Sequence, residues 1–280
     1  MNSITPGQVL EEIHSLPSLP SVVMELLASM GQEDVNMDEV ANKIAKDQAL
    51  AARVLRLANS SFYGMVKQVS TIHEAITILG FRTVRGLATT AALVGSFRGQ
   101  GKGAFDVTPI WRHSIAVAVC ARALASHLKI NPELAYTTGL LHDIGRLVLV
   151  TQFQAGYEST LAYRELHDCT LLDAEQAVLG MDHAVAGEVL MKHWKFPEDM
   201  QQALAQHHLP LAGPVSTLTL IVIAADVIAH ALDLSGDESD LVPLVPVGLW
   251  TQLGLNDGTL LEVFKQTEQQ FALVSPLLNP

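Results

Sequence analysis

The segment GLLHDIGRLVL (139–149) places a histidine and an aspartate inside an apolar run that is typical of a buried helix. An imidazole and a carboxylate in such surroundings cost on the order of several kcal/mol unless they are paired or bind a cation. Because His142 and Asp143 are adjacent, one continuous helix would turn their side chains about 100° apart. Gly139 and Gly145 flank the pair and permit close approach of other helices. The segment therefore predicts a fold in which neighbouring helices supply polar partners.

Further histidines and an aspartate lie in other apolar segments of the chain. They are His113, His183, His207, His208 and Asp226. Donors on facing helices can build a metal site in the core of a helical bundle. Imidazole and carboxylate without thiolate suit iron, manganese, zinc or nickel. Together with His142 and Asp143, these donors predict one or two divalent transition-metal ions. Asp143 would bridge the ions if there are two.

A single histidine on a helix is more often structural or solvent-facing than a ligand. We assign that role to the other histidines, which are His14, His73, His127, His167, His193 and His230. Taken alone, His183 or the His207-His208 pair would be interpreted in the same way. Asp226 differs, because it interrupts the apolar stretch TLIVIAADVIAHAL and needs a partner there. The metal prediction therefore rests on the donors as a group.

Helix signals recur along the whole chain, and we find no convincing strand alternation. Asn36 with Glu39, and Thr71 with Glu74, have the spacing of a capping box. Asn131-Pro132 is typical of a helix start, and a long helix is predicted over 109–128 with His113 in its first turn. The sequence thus predicts an all-α protein of a dozen or more helices, organised as a bundle with an additional N-terminal lobe.

Two polar stretches suggest where the chain divides. Three glycines fall within 98–105, and the acidic segment SGDESD occupies 235–240. We therefore predict an N-terminal helical lobe over 1–105, a metal-binding helical core over 106–234, and a linker with a final helix over 235–280.

Composition excludes several functional classes. The formal net charge of -12 argues against nucleic acid as a partner, because phosphate-backbone binding requires clustered lysine and arginine. The two cysteines form no CxxC pair, so a disulfide framework or a thiolate zinc site is not expected. The N-terminal segment lacks the pattern of a signal peptide, and the longest apolar stretch is short for a membrane span. We expect a cytoplasmic protein without a membrane partner.

The order His, His-Asp, His, His-His, Asp resembles the HD superfamily of metal-dependent phosphohydrolases, and its dinuclear HD-GYP branch in particular. Three segments of the first half resemble the HDOD domain: LPSLP at 16–20, DQALAARVLRLANSSFYG at 47–64 and TIHEAITILGFRTVRGLA at 71–88. This resemblance extends over roughly 15–232. It implies a bacterial, all-helical protein of signal transduction with an HD-type helical core.

The HD resemblance also implies how the donors divide between two ions. It assigns His113, His142, Asp143 and Asp226 to the first metal. It assigns His183, His207 and His208 to the second, with Asp143 shared. The chain departs from the catalytic relatives where Arg146 replaces a lysine, where Pro109 replaces a glutamate, and where HHLPLAGP lacks the GYP motif.

Two functions are compatible with these residues. In the first, the chain is an HDOD signalling protein whose metal site hydrolyses a small phosphoester. Asp143 would then bridge the metals or orient the attacking water, and Arg146 would hold the phosphate. In the alternative, the chain is a non-catalytic regulatory or protein-interaction module with a vestigial or structural metal site. Both predict a signalling protein as a partner.

Overall fold

The structure of the protein is a computed structural model. This structure describes residues 4–13, 21–30, 36–59, 69–97, 105–209, 211, 215–237 and 241–278. These residues form α-helices and one short 3-10 helix, with no strand among them, which confirms the all-α prediction. No helix in these ranges is long and apolar enough to cross a membrane.

The helices follow one another along the chain. The first six are α1 (Pro6–Ile13), α2 (Ser21–Met30), α3 (Met37–Lys46), α4 (Gln48–Ala58), α5 (Ile72–Leu79) and α6 (Phe81–Phe97). The next eight are α7 (Thr108–Leu128), α8 (Pro132–Leu141), α9 (Ile144–Gln152), α10 (Gln154–His167), α11 (Leu171–Leu179), α12 (His183–His193), α13 (Glu198–Gln206) and α14 (Thr217–Ala231). The chain ends with α15 (Leu249–Leu253), α16 (Asp257–Val274) and a 3-10 helix (Ser275–Leu278).

Helix α7 lies at the centre of the bundle, because its small apolar residues allow neighbours on several sides. It packs against α8, α14 and α16, and nearly all of its residues from Ile110 to Ala125 are buried. The helix predicted over 109–128 is thus confirmed to within one residue. His113 lies in its second turn rather than its first.

Helix ends follow the predicted capping signals. The side chains of Asn36 and Thr71 accept hydrogen bonds from the backbone N–H groups of the residues three positions later. Asn131 accepts from two backbone N–H groups at the start of α8. Asp182 caps α12 in the same way. These caps satisfy N–H groups that a helix start leaves without partners.

Helices α2 to α6 pack on one another, and α2 and α6 also contact α8 of the core. A buried hydrogen bond of 2.7 Å joins the hydroxyl groups of Thr90 and Tyr136 across this junction. Nearby, the Arg85 side chain donates to the Ser29 carbonyl at 2.7 Å and lies 3.8 Å from the Glu133 carboxylate. Helix α1 packs instead against α12 and α9. The predicted division at 98–105 falls largely on residues 98–104, which lie outside the described residues.

Candidate metal centre

His142 and Asp143 lie at a break between two helices. His142 ends α8, and Asp143 occupies the N-cap position of α9 with φ of -100° and ψ of 15°. The expectation that both residues belong to one continuous helix is therefore wrong. Across this break, the His142 Nε2 atom lies 3.5 Å from the Asp143 Oδ1 atom. Both groups can then face one centre.

The two flanking glycines bring other helices close to this break. A Cβ atom on Gly139 would lie 3.0 Å from the Cα atom of Ala118, which shows how tightly α8 packs on α7. A Cβ atom on Gly145 would overlap the His183 carbonyl oxygen and lie 2.6 Å from the Gly187 nitrogen. The close packing of α9 on α12 thus depends on Gly145, as the sequence predicted.

One group of donors forms where α7, the α8–α9 break and α14 meet. The His113 Nε2 atom lies 3.0 Å from Asp226 Oδ1 and 3.2 Å from His142 Nε2. The His142 Nε2 atom lies 3.7 Å from the same aspartate oxygen. All three side chains are buried, so Asp226 has the partners that its apolar helix requires.

A second group forms on the other side of Asp143. Its Oδ1 atom lies 3.2 Å from His183 Nε2 and 3.5 Å from His207 Nε2. The Nε2 atoms of His183 and His208 approach each other to 2.9 Å. Donor atoms of Asp143, His183, His207 and His208 all lie within 4.8 Å of one another. Asp143 also belongs to a group with His113 and His142, so its position suits a shared ligand.

In three histidines, the Nδ1 atom contacts a backbone carbonyl or a carboxylate, while the Nε2 atom lies among the donors. The Nδ1 atom of His142 is 2.8 Å from the Gly139 carbonyl, and that of His207 is 2.6 Å from the Leu204 carbonyl. The Nδ1 atom of His183 is 2.6 Å from Glu175 Oε2. Because a carbonyl or carboxylate accepts the Nδ1 proton, the Nε2 lone pair of each ring faces the centre, as in metal-binding histidines.

Charge in the site is concentrated on the two aspartates. Burial alone would raise the pKa of Asp143, but the imidazoles of His142 and His183 hold that pKa well below its usual range. The imidazoles of His113, His142 and His230 likewise outweigh burial and hold the pKa of Asp226 well below its usual range. Both carboxylates are thus ionised and available to a cation.

Sequence reasoning missed Glu175 and His230. Glu175 is fully buried on α11 and contacts His183, although none of the predicted donors lies on that helix. His230 lies one turn after Asp226 on α14, with its Nε2 atom 3.3 Å from Asp226 Oδ1 and its ring 4.4 Å from that of His113. The four-residue spacing of Asp226 and His230 on one helix face was the available signal for His230.

Arg146 lies beside the second group of donors. Its Nη1 atom donates to Asp143 Oδ2 at 3.1 Å. Burial opposes its charge, but the nearby Tyr157 and Asp143 raise the pKa of the guanidinium. Arg146, four histidines and both aspartates line a cavity of about 400 Å³. The predicted phosphate-binding residue is therefore placed at the wall of a cavity that reaches the donors.

The residues fit a divalent transition metal. Within the described part of the chain, Asp143 Oδ1, Asp226 Oδ1 and His207 Nε2 are buried and lack a hydrogen bond of good geometry. Paired Nε2 atoms at 3.2 and 2.9 Å would compete for one proton, whereas a cation between them satisfies both lone pairs. His113, His142, Asp143 and Asp226 would hold one ion, with His230 within reach. Asp143, His183, His207 and His208 would hold another.

Comparison with known proteins yields relatives of the same kind. An HDOD domain protein of unknown function from Geobacter sulfurreducens is 28% identical with a TM-score of 0.72, covering 96% of this chain and 92% of that one. A protein from Shewanella amazonensis SB2B, named "Putative phosphohydrolase", is 31% identical with a TM-score of 0.67. The match covers 92% of this chain and 97% of that one.

Curated relatives are longer than this chain. Ribonuclease Y of Acholeplasma laidlawii is 29% identical over 130 residues, which are 46% of this chain and 19% of that protein. An uncharacterised protein of Treponema pallidum is 27% identical over 209 residues, which are 72% of this chain and 39% of that protein. The family model described as the HDOD domain matches residues 16–210. Because this match covers well over half of the sequence, the chain belongs to the HDOD domain family.

Proposed function

We propose that this chain is a signalling protein whose metal centre hydrolyses a small phosphoester. The observation that carries the proposal is the convergence of histidine and aspartate donors. Three of the imidazoles are oriented through their Nδ1 atoms by the carbonyls of Gly139 and Leu204 and the carboxylate of Glu175. Bound divalent ions would lower the pKa of water to yield a nucleophile near neutral pH and would polarise the phosphoryl oxygens. Membership of the HDOD family and the Shewanella relative support the same general kind of protein.

Arg146 would bind the phosphoryl group. Its guanidinium carries two or more donors in a planar fork that matches phosphate oxygens. The contact with Asp143 holds that fork at the cavity wall, and the raised pKa keeps it charged. Arginine thus supplies the fixed positive charge at this point, with a geometry different from that of lysine.

Asp143 would orient the attacking water, because its ionised carboxylate lies between the two groups of donors. In the hydrolysis, the water oxygen forms a bond to phosphorus and the ester P–O bond breaks. The departing oxygen takes up a proton, and the products are phosphate and an alcohol. The donor side chains themselves are largely buried, which strengthens their interactions with a bound phosphoryl group.

Metal content and turnover test this proposal together. Protein purified without chelator is expected to contain one or two divalent ions per chain, and a screen of phosphoesters is expected to find turnover. Asp143→Asn keeps the side-chain size but removes the shared charge, so it should lose both metal and turnover. Asp199→Asn, at an exposed position on α13, is the matched control and should retain both. Wild-type protein without stoichiometric metal would refute the proposal.

The non-catalytic alternative makes a different prediction from the same variants. If the centre is structural, Asp143→Asn should lower the melting temperature while no phosphoester is turned over by either protein. If the site is vestigial, neither stability nor partner binding should depend on metal. We propose a cytoplasmic location and a signalling protein as partner in either case, and partner capture with both variants tests whether that interaction needs the metal.

A further inference from the structure

The cavity at the metal centre has two chemically different sides. One side consists of the donors and Arg146. The other is apolar and comes from three elements: Leu172 on α11, Val227 on α14, and the segment 241–246, which contributes Leu241 and Val242. A phosphate held by the donors would therefore leave the remaining substrate against apolar side chains.

The apolar segment is largely exposed. Val242 is 58% exposed and Leu244 is 95% exposed, although both line the cavity. Exposed aliphatic side chains that converge on a polar site gain free energy when an apolar ligand covers them. Proline residues 243 and 246 restrict the backbone of this segment, which reduces the entropy lost when a ligand binds against it.

Cavity size and charge limit what can bind. The volume of about 400 Å³ lies near the small end of the range of roughly 300–1,000 Å³ for small-molecule pockets. The charged residues near the apolar side are Arg164 and Asp173, which carry opposite signs. A long polyanion would need a continuous row of positive charge there. The mixed charges and the net charge of -12 favour a ligand with a single phosphate group.

We infer that the substrate is a small phosphate monoester whose organic group is apolar and lies against Leu241 and Val242. This inference rests on the proposed function, because it places the phosphate at the donors. It assigns specificity to 241–246, a segment that belongs to neither group of metal donors.

Binding of two non-hydrolysable phosphonates to Mn²⁺-loaded protein tests the inference without turnover. Phenylphosphonate and methylphosphonate share the same anionic group and differ in apolar area. A single methylene in an enclosed pocket is worth roughly 10–200-fold, so a phenyl group on this half-open wall should gain about tenfold in affinity. Calorimetric titration measures both dissociation constants.

Two valines of the same segment supply matched variants. Val242→Ser removes apolar surface from the cavity and should reduce the preference for phenylphosphonate about threefold or more. Val247→Ser makes the same chemical change at a residue that is 96% exposed and is not part of the cavity lining. It should leave the preference unchanged. Metal content should be equal in both variants, since neither residue is a metal donor.

The outcomes separate the inference from the proposed function. Equal affinity for the two phosphonates, failure of both to bind, or equal effects of the two valine variants would overturn the inference. A preference for phenylphosphonate without hydrolysis of phenyl phosphate would refute the proposed hydrolysis and leave the binding inference standing. Turnover of an RNA oligonucleotide or a cyclic dinucleotide in preference to phenyl phosphate would also overturn the inferred substrate class.

Discussion

Gly145→Ala should damage the metal centre without changing any donor. Gly145 lies two residues after Asp143 on α9 and faces the start of α12, where His183 is located. The added Cβ atom would overlap the His183 carbonyl oxygen and lie 2.6 Å from the Gly187 nitrogen. Ordinary contacts of this kind begin at 3.4 Å. Relief of the contact with the Gly187 nitrogen alone requires a separation of about 0.8 Å, and relief of the overlap with the His183 carbonyl oxygen requires more.

This separation determines how much folding stability and how much bound metal the variant should lose. Overpacking of a tight interior costs roughly 1–3 kcal/mol, and the backbone atoms that the new Cβ meets cannot rotate away. Metal–ligand distances tolerate only about 0.2 Å of change, so moving His183 away from Asp143 should weaken the second site strongly. We expect a loss of about 2 kcal/mol in the free energy of unfolding and about half of the bound metal.

Chemical unfolding and metal titration of the variant measure both effects. Gly86→Ala on α6 is the matched control, because its Cβ atom would meet only ordinary contacts at 3.7 Å. Alanine is favoured over glycine in a helix by up to about 1 kcal/mol, so this control should be neutral or stabilising. If Gly145→Ala keeps wild-type stability and full metal content, the argument from close packing of α9 on α12 is refuted.

Three further predictions concern the donors and the core. Glu175→Gln should weaken metal binding about 10–100-fold, because the amide no longer fixes the orientation of the His183 ring. The same change at the exposed Glu165 is the control and should leave metal binding unchanged. Equal metal-titration curves for the two variants would contradict this prediction. Metal at a hundredfold excess over its dissociation constant should add about 2.7 kcal/mol to the free energy of unfolding. The melting temperature should then rise by roughly 5–10 °C relative to protein treated with a chelator. Identical melting curves with and without metal would exclude a metal bound to the folded state. Burial raises the pKa of the Cys120 thiol to about 12, so only Cys169 should react readily with a thiol reagent at pH 8 in the native protein, and both should react after denaturation.

Local signals allowed much of the helical organisation to be predicted. Capping side chains such as Asn36 and Asp182 act within three residues of their own position, so the sequence shows them directly. The same is true of the long α7, whose small apolar residues mark it as central. The donor types were equally visible, because a charged or imidazole side chain is conspicuous in an apolar helix.

The break between α8 and α9 could not be predicted in this way. Residues 139–149 have the apolar composition of one helix, and no proline separates His142 from Asp143. Asp143 occupies the N-cap position of α9 but makes no side-chain capping hydrogen bond there. Contacts of α7, α12 and α14 on both sides outweigh the local preference for a continuous helix. Tertiary packing thus determines that the two side chains face the same centre.

The sequence by itself determined that this protein is all-α and that its core contains an unusual concentration of imidazole and carboxylate donors. Only the tertiary structure decided which donors meet, that Glu175 and His230 join them, and that the apolar segment 241–246 borders the cavity. The physical reason is the sequence distance over which the relevant contacts act. Helix formation depends on contacts a few residues apart, whereas the site depends on helices more than a hundred residues apart in sequence whose packing brings them together.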